Sequence, residues 1–112
     1  MTRILEDVAL ISGPSARSRA YAQRLTAEGI LPGIVLYQPG NEWFWTGADS
    51  FEVDLRGDGN LVQFQPREDV RDTFERAAIP SLNLPATRID DSANLDLFRR
   101  LPQEIFVFSG YG

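Results

Sequence analysis

Short apolar runs recur along the chain, separated by stretches of helical periodicity. Val8, Ala9, Leu10 and Ile11 run into Ser12 and Gly13, which reads as a strand over 8–13 and its turn. Ser15 is a good helix N-cap, and the spacing predicts a helix over 16–28. Tyr21 and Leu25, at i and i+4, are the expected inward pair, and Gly29 falls where a C-terminal cap belongs. A second apolar strand covers 33–37 and is stopped by Gln38, Pro39 and Gly40. A strand, a helix and a second strand in that order predict a parallel pair joined by a right-handed crossover.

The rhythm changes over 41–65. Trp43, Phe44 and Trp45 cluster, Phe51, Val53 and Leu55 alternate with Glu52 and Asp54, and Gly57, Asp58, Gly59 and Asn60 form a strong turn signal. A β-hairpin or an irregular excursion is expected there. Pro66, Glu68 and Asp69 then suit a helix start, with Val70, Phe74 and Ala77 or Ala78 on one face. Ile79 and Pro80 end it, and 81–84 reads as a third short strand. The capping residues of 90–94 introduce a helix over roughly 95–101, with Leu97 and Leu101, and Leu95 and Phe98, at helical spacing. Pro102 closes it, and Ile105, Phe106, Val107 and Phe108 form a last strand. Without polar alternation, that strand is expected to be covered on both faces. The alternation as a whole predicts an α/β three-layer unit in a single domain spanning 1–112.

Composition narrows the chemistry. The 112 residues carry a net charge of −5 and contain no lysine, so the segment offers little to a phosphate backbone, and no direct nucleic-acid binding is expected. There is no cysteine and no histidine. Disulfides, thiolate ligands, the usual zinc ligand and the usual general base are excluded with them. Acidic residues precede the first apolar run, the wrong order for a signal peptide, and no apolar stretch is long enough to span a bilayer. A soluble, cytoplasmic protein that does not engage membranes is the expectation.

Three constellations are candidates for binding. The turn Ser12, Gly13, Pro14, Ser15 places backbone N–H groups and a helix N-terminus at the carboxyl edge of the sheet, which suits an anion. It also reads as a plain capped turn, and it lacks the repeated glycines of a dinucleotide fingerprint. Arg17 and Arg19 are able to add charge there, although helix arginines are more often solvated. Gly110, Tyr111 and Gly112 let backbone approach a flat ligand closely, or form an ordinary strand-to-helix turn. Trp43, Phe44 and Trp45 are able to stack on a ring, or to plug a long loop onto the sheet. Asp54, Asp58, Asp90 and Asp91 make no metal-binding pattern and read as turn and cap residues.

Three segments, residues 8–13, 77–84 and 105–112, resemble the N-terminal half of the folate-dependent formyltransferases. That family includes methionyl-tRNA, phosphoribosylglycinamide and sugar-nucleotide formyltransferases. The first segment is similar to the family's opening strand and Ser-Gly substrate loop. The second is similar to its third strand, and the third to its fourth strand and the turn lining the pteridine pocket. The resemblance implies a Rossmann-like, mainly parallel sheet of about four strands in the order 3-2-1-4, with the possible hairpin insertion at 41–65. It implies formyl transfer from 10-formyltetrahydrofolate to an amine on a small molecule, a nucleotide-linked sugar or an aminoacyl-tRNA. Gly110, Tyr111 and Gly112 would contact the cofactor, and Ser12, Gly13 and Ser15 the acceptor. The family's catalytic His and Asp lie further along than Gly112, so the resemblance assigns this chain no catalytic residue and no metal ligand. It casts the chain as the front of a larger enzyme, inactive alone, with apolar sheet surface free for self-association. A different Rossmann-type enzyme and a small binding or interaction module without catalysis are the alternative readings.

Overall fold

A computed structural model describes residues 2–13, 15–39, 51–53, 62–65 and 67–109. Four parallel strands form the main sheet in the order β5-β2-β1-β6. They are β1 (Arg3–Ser12), β2 (Ile30–Tyr37), β5 (Ser81–Asn83) and β6 (Ile105–Phe108). Counting only the strands of this sheet in chain order, the arrangement is the expected 3-2-1-4. Helices α1 (Ala16–Ala27), α2 (Val70–Arg76) and α3 (Ser92–Arg100) connect them. Within the expected excursion, β3 (Phe51–Val53) and β4 (Val62–Phe64) pair antiparallel, as a hairpin requires. The aromatic cluster Trp43, Phe44 and Trp45 lies outside the described residues.

The two sheet faces are covered by different helices. Leu10 of β1 and Leu31, Val35 and Tyr37 of β2 pack with Ala22, Val70, Phe74 and Ile79 on the α1 and α2 side. Ala9, Ile11, Ile34, Leu36 and Leu84 form the other core, against Leu97, Phe98 and Leu101. Strand alternation accounts for the division, since neighbouring residues of β1 and β2 point to opposite faces. The chain steps from β1 through β2 to β5 in one direction, then returns to the far side of β1 for β6. Crossovers of one hand running in opposite directions place their helices on opposite faces. The result is a three-layer α/β Rossmann-like unit.

Several local expectations change. Strand β1 starts at Arg3, well before the predicted position 8. Its register with β2 shifts between Leu5 and Ala9, so that Glu6, Asp7 and Val8 face the single residue Gly33. The bulge turns the Asp7 carbonyl toward the Glu104 N–H (3.1 Å) and the Glu6 carbonyl toward Gln103 Nε2 (3.3 Å). The charged stretch thus joins the sheet while keeping its side chains wet. In α1 the inward residues are Ser18, Arg19 and Ala22, with Leu25 partly buried, whereas Tyr21 is exposed. In α3, Leu95 is exposed and Asn94 is fully buried, bonding Ala86 N–H, Ala86 C=O and Arg88 C=O.

The largest correction concerns β6. It pairs with β1, but its four apolar residues are 37–54% exposed. Strand β6 is an edge of the sheet, and α3 meets it through Phe98 and Phe106, with ring centroids 5.0 Å apart. An apolar run without alternation therefore reports suitability for burial on two faces, not burial achieved.

Gly33 is the position most tightly bound to the bulge. A Cβ there would lie 2.6 Å from the Glu6 carbonyl oxygen, a backbone atom with no freedom to swing away. Gly33→Ala is expected to cost about 1–3 kcal/mol, measured as a drop in the urea-unfolding midpoint at unchanged slope.

Candidate functional site at the carboxyl edge of the sheet

In open α/β sheets, ligands bind outside the carboxyl ends of the strands, where the strand order reverses. Here that point lies between β1 and β6. Its walls are the turn after Ser12, the N-terminus of α1 and the end of β6 at Ser109. Ser12, Gly13, Ser18 and Ser109 are all buried, and Ser15 is half-buried.

Ser15 caps α1 as predicted, accepting a hydrogen bond from Ser18 N–H at 3.1 Å. Ser18 was not singled out by the sequence reading, yet it ties the site together. Its hydroxyl donates to the Ser109 carbonyl (2.5 Å) and accepts from Gly13 N–H (3.3 Å) and from the Ser15 hydroxyl (3.2 Å). Ser109 is held in turn by its own N–H and hydroxyl, both donating to the Ile11 carbonyl (2.8 and 3.1 Å). The only sequence signal for this role was a second serine three residues after the cap, on the face toward the sheet.

This network decides how much of the turn is available. The Gly13 N–H and the Ser15 hydroxyl are spent on internal bonds, so both act first as structural groups. Ser12 differs. It is 1% exposed, and its Oγ has no hydrogen-bond partner. A buried hydroxyl without a partner costs about 1–3 kcal/mol, which a ligand acceptor or donor would relieve. Arg19 is 5% exposed, unlike the solvated helix arginine expected of it, whereas Arg17 is exposed. Gly110, Tyr111 and Gly112 lie outside the described residues. The described chain reaches Ser109 in the wall of the crevice, directly before them.

A second polar feature lies at the opposite side of the sheet, over β2 and β5. The Tyr37 hydroxyl is buried and without a hydrogen-bond partner, and the Arg71 guanidinium sits 5.0 Å from its ring centroid. Burial first, then the nearby Glu75 and Asp69 carboxylates, push the Tyr37 phenol up to about 12. Arg71 and the close Ser81 hydroxyl, which falls short of a full hydrogen bond, oppose that rise. On the far side of α2, burial alone would raise the Glu68 carboxyl. Bonds from Arg76 (2.6 Å) and the Thr73 hydroxyl (2.8 Å) outweigh it and hold the carboxyl below its usual range.

Asp91 caps α3 and Asp90 pairs with Arg88, the cap and turn roles expected of them. Among the described residues no group of three or more His, Cys, Asp or Glu side chains is placed to hold a metal, and no helix is long and apolar enough to cross a membrane. Comparison of the chain with protein-family models, with curated proteins and with solved structures finds no match.

Two outcomes are expected. Ser18→Ala strands the buried Gly13 N–H and Ser109 carbonyl and should cost about 2–3 kcal/mol. Ser15→Ala, which mainly loses a cap, should cost about 1 kcal/mol. Urea unfolding of both variants checks the order. For Tyr37, folded and unfolded chains are equally protonated below pH 10, so no stability change arises there. Between 10.0 and about 12 the unfolded chain loses the proton and the folded chain keeps it. Stability should therefore fall across that window as pH rises, by about 2–3 kcal/mol. The wild-type minus Tyr37→Phe difference in unfolding free energy, followed against pH, isolates this loss.

Proposed function

We propose that this chain is the cofactor- and acceptor-binding front of a cytoplasmic folate-dependent formyltransferase. The larger enzyme transfers the formyl group of 10-formyltetrahydrofolate to an amine. The observation that carries the reading is the reversal of strand order at β1. It sets the Ser12-Gly13-Ser15 turn beside the strand that leads into Gly110, Tyr111 and Gly112. Acceptor and cofactor would then meet at one crevice, the acceptor against the unpartnered Ser12 hydroxyl and the α1 N-terminus, the pteridine against the backbone beyond Ser109. Formylation of an amine requires proton removal and stabilisation of a developing oxyanion. With no histidine among its 112 residues, this segment leaves the proton transfer to other polypeptide.

A second reading is supported by the exposure of β6. A chain that leaves Ile105, Phe106, Val107 and Phe108 half exposed along a sheet edge has the surface of a Rossmann-like interaction module without catalysis. Titration of the 112-residue chain with a stable 10-formyl folate analogue, followed by calorimetry and tyrosine and tryptophan fluorescence, separates the two. The formyltransferase reading expects saturable binding, weakened at least about tenfold by Tyr111→Ala, and no formyl transfer to amines. Absence of binding by a folded chain, or turnover by the chain alone, overturns it.

A further inference from the structure

At the opposite edge of the sheet from the β1–β6 crevice, an open cleft of about 240 Å³ lies over β5. Its walls are Tyr37, Arg71, Glu75, Ser81, Leu82 and Asn83. The fold brings these residues together through two periodicities. The β2–β5 register sets Ser81 against Val35 and Asn83 against Tyr37, so both polar residues of β5 lie on the α2 face of the sheet. On α2, Val70 and Phe74 turn into the core, and Arg71 and Glu75 follow each by one residue. At i and i+4 they stack over the exposed edge.

The charges of this cleft are not paired with each other, and an Arg four residues before a Glu is the weaker order for a helix pair. Here Arg71 instead lies over the Tyr37 ring and bonds the neutral Asn83 Oδ1 at 3.1 Å. Glu75 makes no ion pair among the described residues. It stands close enough to raise the Tyr37 phenol. The hydroxyl of Tyr37, a residue 6% exposed, is buried in the cleft wall without a partner. One cation and one carboxylate unpaired by the protein thus line a single concave surface, with an unsatisfied hydroxyl buried in its wall.

A simple anion would meet Glu75, and a simple amine would meet Arg71. A ligand carrying both charges a few ångström apart satisfies both. We propose that this cleft binds a small zwitterion of the α-amino-acid class, with its carboxylate on the Arg71 guanidinium and its ammonium on Glu75. The Ser81 hydroxyl and the Asn83 amide are then available to a polar side group. The site is independent of the folate reading, since it shares no residue with the β1–β6 crevice.

The test is titration of the full chain with L-alanine and L-serine, with lactate, ethylamine and glycerol in parallel, followed by NMR shifts of Arg71, Glu75 and Asn83. The amino acids are expected to bind with Kd on the order of 1 mM, in keeping with so few ligand atoms. Lactate and ethylamine, each holding one charge, should bind at least about tenfold more weakly, and glycerol should not register. Glu75→Gln and Arg71→Gln should each weaken alanine binding at least about tenfold. Both side chains belong to exposed residues, so the variants are expected to fold, which thermal melts would check. Equal responses to alanine, lactate and glycerol, absence of shifts at these residues, or unchanged alanine affinity in folded variants would each overturn the proposal.

Discussion

The central position of β1 governs this fold. It is hydrogen-bonded on both sides, to β2 and to β6, and it supplies buried side chains to both cores. Ala9, Leu10 and Ile11 are each less than 5% exposed. Full burial of a Leu or Ile side chain is worth about 1.5–3 kcal/mol, and residues of β1 collect it on alternate faces. Helices on both sides therefore dock against the same strand. The bulge at Glu6 to Val8 extends this role toward the N-terminus. It absorbs two acidic residues without burying their charges, and it holds the approach to β6 through bonds that the Gln103 side-chain amide and the Glu104 N–H donate to its carbonyls.

Because β1 is where the order of strands reverses, its carboxyl end is also where the layers leave a crevice. Serines dominate that crevice for a physical reason. A turn packed under a helix N-terminus needs small side chains that both donate and accept, and Ser18 does both between Gly13, Ser15 and Ser109. Such a network makes the turn rigid and leaves one group, the Ser12 hydroxyl, unmatched. The opposite edge shows the complementary case. There α2 lies beside the short strand β5, and the long charged side chains of Arg71 and Glu75 line the opening together with Ser81 and Asn83.

Much of this was legible in the sequence. The caps Ser15 and Asp91, the shared face of Val70, Phe74 and Ala77 and the parallel pairing of β1 with β2 follow from local spacing and the handedness of crossovers, a hairpin is one of two readings of 41–65, and the order of the main sheet is what the family resemblance implies. The early start of β1 was not. The strand is expected from position 8, with Glu6 and Asp7 before it, and a bulge that tolerates them is settled by the partner strand, specifically by a glycine at position 33. Tyr21 and Leu95 misled for another reason. Helical spacing defines a stripe, but which side of it meets the sheet depends on how the helix is rotated. In α1 and α3 that rotation buries Ser18 and Arg19, and Asn94.

What the chain alone determines is the kind and succession of its elements, because caps, turns and hydrophobic period act over a few residues. The absence of histidine and cysteine likewise fixes which side-chain chemistries these 112 residues lack. The tertiary structure alone decides which apolar run stays at an edge, which serine joins the turn to the last strand, and that Arg71 meets Tyr37 and Asn83. Those outcomes depend on contacts between residues far apart in sequence. No local pattern encodes them, since each is set by what the rest of the fold brings alongside.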